Sequence, residues 1–160
     1  MKNNIFKQWV MASLLCILSC SAFSDVEYSG IAFSNVDIHG QGTEADVKPG
    51  ETVGIHAHYK WLWPREEGSI VQIIVGIDGI GAQTTIANAI VIDGRYLDPH
   101  YYDITEQDVD FHIVAPNEPG TYQIRFRYAQ AYGAEEAVGT WWYVDQAPTE
   151  EATIGTITVR

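Results

Sequence analysis

Cysteine is all but missing from this chain: Cys16 and Cys20 are its two examples, and both fall within the first 24 residues. A domain beginning after them has no disulfide to lean on, so apolar burial alone must hold its fold. Basic residues are also scarce, nine Lys and Arg against 21 Asp and Glu. Such a balance repels phosphate backbones and anionic lipid surfaces, which excludes nucleic acid and acidic membranes as partners. Cations, neutral sugars and basic proteins remain. No helical period is sustained after residue 24, and no internal repeat is visible. Catalytic signatures are missing too. There is no nucleophile elbow, and Gly76-Ile77-Asp78-Gly79-Ile80-Gly81 has the wrong glycine order for a dinucleotide fingerprint and precedes no helical pattern. Carboxylate pairs in so acidic a chain carry no information, so an enzyme is not expected.

The first residues form a unit of their own. Met1-Lys2-Asn3-Asn4-Ile5-Phe6-Lys7 is short and basic, 9–18 is apolar, and small residues Ala22 and Ser24 close the segment. This pattern predicts a secretory signal peptide over 1–24, with secretion or residence in the periplasm or envelope. Its apolar run falls short of the roughly 20 residues of a membrane span. A second possibility is lipidation at Cys20, since Ile17-Leu18-Ser19-Cys20 is similar to a bacterial lipoprotein box. The leader carries Lys2, Lys7 and no acid, so its removal takes the net charge from −12 to −14. The 136 residues of 25–160 suit one domain.

Alternation organises that domain. Val53, Ile55, Ala57, Tyr59 and Trp61 share one face of a strand, with His56, His58 and Lys60 on the other. Tyr122, Ile124, Phe126 and Tyr128 alternate likewise with Thr121, Gln123, Arg125 and Arg127, which predicts that the two arginines face water. Val109, Phe111 and Ile113 alternate with Asp110 and His112. Ile70-Val71-Gln72-Ile73-Ile74-Val75 is β-branched and apolar on nearly both faces, the mark of a central strand. The phase shift between Ile31-Ala32-Phe33 and Val36-Asp37-Ile38 predicts a bulged first strand. Further strands are expected over 84–92 and 155–159, with 39–51 a polar connection and 93–107 irregular.

Seven strands separated by Gly/Pro turns point to an all-β, antiparallel two-sheet sandwich. Val47-Lys48-Pro49-Gly50-Glu51-Thr52-Val53 and Ala115-Pro116-Asn117-Glu118-Pro119-Gly120-Thr121-Tyr122 resemble the strand entries of immunoglobulin-like modules in secreted and surface bacterial proteins. The resemblance implies a Greek-key sandwich with Tyr122 as its tyrosine corner. It implies no function. The paired cysteines and third-strand Trp of antibody domains are absent, as is the Asn-Pro-Thr-Thr-Gly type loop of immunoglobulin-like protease inhibitors.

In Greek-key order the connections after the second, fourth and sixth strands share one end, and there the aromatics gather. Trp61, Trp63, Tyr101, Tyr102, Tyr132, Trp141 and Trp142 are the candidate ligand-binding residues, suited to stacking on sugars or anchoring a protein. The bland reading is that several of them, Tyr59 and Trp61 first, close the end of the core. Adjacent Trp141 and Trp142 would point opposite ways in an extended strand, so one must leave the core. The expected function is a non-catalytic module recognising a glycan or protein outside the cytoplasm. The alternatives are an assembly subunit pairing through sheet edges or a calcium-stabilised extracellular domain.

No cofactor is required by these residues. Acids around the fourth connection, including Asp98, Asp103 and Asp108, are numerous enough for calcium but lack the helix–loop–helix spacing, so a solvated acidic loop is the first reading. His56 and His58 share a strand face, a geometry compatible with zinc or copper, to which His112 adds a ligand only if the two strands are neighbours. An exposed polar face is the simpler interpretation.

Overall fold

The computed structural model describes residues 25–62, 70–77, 89–96, 106–131, 133–139 and 147–160. Among them nine strands form two sheets. The first sheet has the order β1 (Val26–Tyr28), β2 (Ile31–Ile38), β4 (Thr52–Trp61), β7 (Glu106–Val114). The second runs β3 (Glu44–Val47), β9 (Thr153–Val159), β8 (Gly120–Gln130), β5 (Ile70–Ile77), β6 (Ala89–Tyr96). Every pairing is antiparallel except β3 with β9. The fold is all-β, and its inner faces share one apolar core.

The alternation read from the sequence decides which face is buried. Along β4 the buried residues are Val53, Ile55, Ala57, Tyr59 and Trp61, every second position. Ile124 and Phe126 of β8 are buried, and Tyr122 and Tyr128 pack partly buried against the same core. The phase shift in β2 is a bulge, with the register slipping between Ser34 and Asp37 and Asn35 at φ +51°. β5 is central, as its double-sided apolarity demands: it pairs with β6 and β8, and Gln72 to Ile77 are all buried.

Four expectations need correction. The 39–51 connection contains β3, whose Ala45 and Val47 are buried while Glu44 and Asp46 are exposed. It joins the sheet by pairing in parallel with β9, a long-range partner that short acidic Glu-Ala-Asp-Val does not advertise. A further strand, β1, precedes the expected first one. The strand expected over 84–92 is β6, reaching Tyr96, so 93–96 is strand rather than irregular, and β7 begins as early as Glu106. Arg127 is buried at 5% exposure instead of facing water. It pairs with Ile74 on the outer face of its sheet, the side on which a helix, α1 (Ala134–Gly139), follows β8 and lies against β5 and β6. Its Ala137 and Val138 form a second apolar cluster with Ile74, Ala129 and Ala131 on the outer face of that sheet. A short strand was expected near Trp141-Trp142-Tyr143, which lie outside the described residues.

Two contacts fix how the sheets face one another. The rings of Phe33 and Phe126 are 4.5 Å apart, centroid to centroid. Further along, Gly155 lies so close to Ile38 and Thr43 that a Cβ built there would meet the Ile38 Cδ1 and stand 2.6 Å from the Thr43 carbonyl oxygen. Thr156 N donates to that same carbonyl at 2.8 Å, which keeps it in place. Replacing Gly155 with Ala should therefore destabilise the domain, by about 1–3 kcal/mol as for other overpacked sites. Urea unfolding checks this, and an unchanged midpoint would mean the sheets are not in such close contact there.

Candidate functional site

Strand registers locate the ends from which the long connections leave. In the first sheet Lys60 pairs with Glu106, so the end of β4 lies beside the start of β7. In the second, Ile70 pairs with Tyr96 and Val71 with Gln130, so the start of β5 and the ends of β6 and β8 are together. The two cross-sheet contacts relate these groups. Phe33 pairs with Tyr59 and Ile38 with Ile55, so Ile38 is the farther from Trp61. Phe126 pairs with Val75, while Gly155 pairs with Ile124, farther from Gln130. Since Phe33 meets Phe126 and Ile38 meets Gly155, the Trp61 end and the Gln130 end are at the same pole. The connections 62–69, 97–105 and 131–152 all start from it.

At this pole Leu62 follows Trp61 with 38% of its surface exposed, and its amide donates to the Gly30 carbonyl at 2.8 Å. That bond ties the exit of β4 to the β1–β2 turn, where Ser29 and Gly30 both have positive φ. At the opposite pole, from which the 78–88 connection leaves, the two corners before β4 and β8 are tied down. Gly50 N donates to Pro116 O at 3.2 Å, Ala115 N to Glu51 O at 2.8 Å, and the Tyr122 hydroxyl to Glu118 O at 3.0 Å.

Of the seven candidate aromatics, Trp61 is described, and it is 8% exposed within the core. Its alternation with Tyr59 and Ala57 puts it there, leaving little of the indole for a ligand. Trp63, Tyr101, Tyr102, Tyr132, Trp141 and Trp142 lie outside the described residues, as do Asp98 and Asp103.

The remaining candidates share the outer face of the first sheet. β4 and β7 are neighbours, with Gly54 opposite His112, His56 opposite Asp110 and His58 opposite Asp108. His56 Nδ1 and Asp110 Oδ1 are 2.8 Å apart, and so are His58 Nδ1 and Asp108 Oδ1. A carboxylate can only accept, so each Nδ1 carries the proton and donates it. Lys60 Nζ lies 3.3 Å from Glu106 Oε2, completing a ladder of cross-strand pairs. Gly54 leaves a gap in this face, a hollow of about 260 Å³ whose lining includes Asp37, His39, His56 and His112. Among the described residues no three His, Cys, Asp or Glu side chains converge as a metal site. Asp108 is thus placed beside His58 rather than in an acidic loop. The carboxylate partners of the histidines escape sequence reading because alternation gives a face but not a register.

No protein-family model matches the chain, and no curated protein does. Twenty chains of solved structures match. One is similar over 78% of this chain with 12% identity and a TM-score of 0.38: the Pseudomonas fluorescens alkylpurine DNA glycosylase AlkC bound to DNA containing an abasic site analog. The match spans 30% of that protein's chain, and likeness at this TM-score carries no argument about function.

The placement of Trp61 gives a direct expectation. Trp61→Ala should cost about 3–5 kcal/mol, as for other buried aromatics. Equilibrium denaturation measures it, and a loss below about 1 kcal/mol would return Trp61 to the surface as a contact residue.

Proposed function

We propose that this chain is an exported immunoglobulin-like module that binds a glycan or protein partner, without catalysis, through aromatic side chains at one pole of its sandwich. Support for the fold class comes from the strand orders β2-β4-β7 and β9-β8-β5-β6, the parallel β3–β9 pair, and the Tyr122 hydroxyl bonded to Glu118 O in the manner of a tyrosine corner. Support for export comes from the basic–apolar–small order of 1–24. Among the described residues no helix is long and apolar enough to cross a membrane.

The observation that carries the binding reading is the common pole of three connections. A rigid double sheet holds their anchors together, and their sequences supply Trp63, Tyr101, Tyr102, Tyr132, Trp141 and Trp142. Connections held side by side on a fixed scaffold are a common setting for recognition. Flat rings there offer wide contact with few rotamers to freeze, which suits the faces of sugars or the apolar anchors of a protein. The acidic balance favours neutral or basic ligands.

Exchanging Trp63 and Trp142 together for Ala should abolish glycan-array or pull-down signal while leaving the thermal midpoint nearly unchanged. Retained binding in that double variant would sink the proposed surface.

A further inference from the structure

The outer face of β4 has chemistry that recognition by aromatics does not use. We propose that His56 and His58 form a two-histidine chelate for a divalent transition metal, with Cu2+ preferred over Zn2+ and the remaining positions filled by water. The two side chains leave the same face of an extended strand, about 7 Å apart along the backbone. Each ring has its Nδ1 proton committed to a carboxylate, Asp110 for His56 and Asp108 for His58, both at 2.8 Å. A neutral imidazole held in that way presents the Nε2 lone pair, the nitrogen that takes a metal. Carboxylate-bound Nδ1–H is also the arrangement that fixes ring orientation and raises ligand basicity at metal-bound histidines.

The site is accessible. The His56 side chain is 46% exposed and that of His58 is 28% exposed. An ion shared by the two side chains would sit between the rings, at the roughly 2 Å that copper and zinc keep from an imidazole nitrogen. The hollow over Gly54, next to His56, leaves room for coordinated water. The charge around the pair suits a cation: Asp108 and Asp110 flank it on β7, Asp37 lies opposite His56 on β2, and the one cation in the row, Lys60, is paired with Glu106. Imidazole donors select borderline metals rather than calcium, and the affinity order among divalent ions places Cu2+ above Zn2+. Two protein ligands make this a site of modest affinity, loaded by exchange of water for imidazole with no change of oxidation state.

Calorimetric titration of the full chain with Cu2+, Zn2+ and Ca2+, in a Cys16→Ser and Cys20→Ser background that removes the only thiols, tests it. One equivalent of Cu2+ is expected, Zn2+ weaker, and Ca2+ without effect on the histidine resonances. Electron paramagnetic resonance of the Cu2+ form should show two imidazole nitrogens. The His56→Gln and His58→Gln double variant should lose this equivalent. Asp108→Asn with Asp110→Asn should keep it at about 10–100-fold lower affinity, and His112→Gln should bind as the parent does. Histidine resonances of the untitrated variants report that the sheet is intact. Binding that survives the double histidine variant, binding lost in His112→Gln, or no Cu2+ uptake by the parent would each overturn the proposal.

Discussion

Everything in this domain depends on two sheets holding together by apolar contact alone. With no cysteine beyond residue 20, the sandwich has no covalent link between its layers. Phe33 against Phe126 supplies a close ring contact across the core, with Tyr28 edge-on to Phe126 at 6.1 Å. Burying one such ring contributes about 1.5–3 kcal/mol, so a core of this kind suffices where small secreted domains resort to disulfides. The same contacts set the alignment of the sheets, and that alignment brings three long connections to one pole.

β4 shows how one strand serves two purposes. Its inward positions build the core, and its outward positions build the ladder of His56, His58 and Lys60 against the acids of β7. The two sheets differ in what covers their outer faces. α1 lies over β5 and β6 and buries Ile74, while the first sheet presents His56, Lys60 and the β7 acids to solvent. The polar face is therefore available for chemistry that the covered face cannot offer.

How much of this was legible in the sequence follows from the range of each signal. Alternation is local, so the buried faces of β4 and β8, the bulge at Asn35 and the double-sided burial of β5 could all be read directly. Pairing is not local. β3 is four residues long, and it is a strand because β9 lies alongside it in parallel. Arg127 is buried on the outer face beside Ile74, against which packs a six-residue helix that no period in the sequence reveals. Outward-facing histidines could be placed on a face, but Asp108 and Asp110 became their partners only through the β4–β7 register. Of the aromatic pole, the sequence provides the residues and the described strands provide the anchors.

The shared pole is best tested by distance. Pulsed electron resonance between spin labels, in a Cys16→Ser and Cys20→Ser background, can compare Leu62 with Glu135 and Leu62 with Asn117. Leu62 and Glu135 follow the ends of β4 and β8, whereas Asn117 is in the corner at the far end of a ten-residue β4, about 30 Å away. The account predicts a clearly shorter distance from Leu62 to Glu135 than to Asn117. The reverse order would place the connections at opposite poles and contradict it.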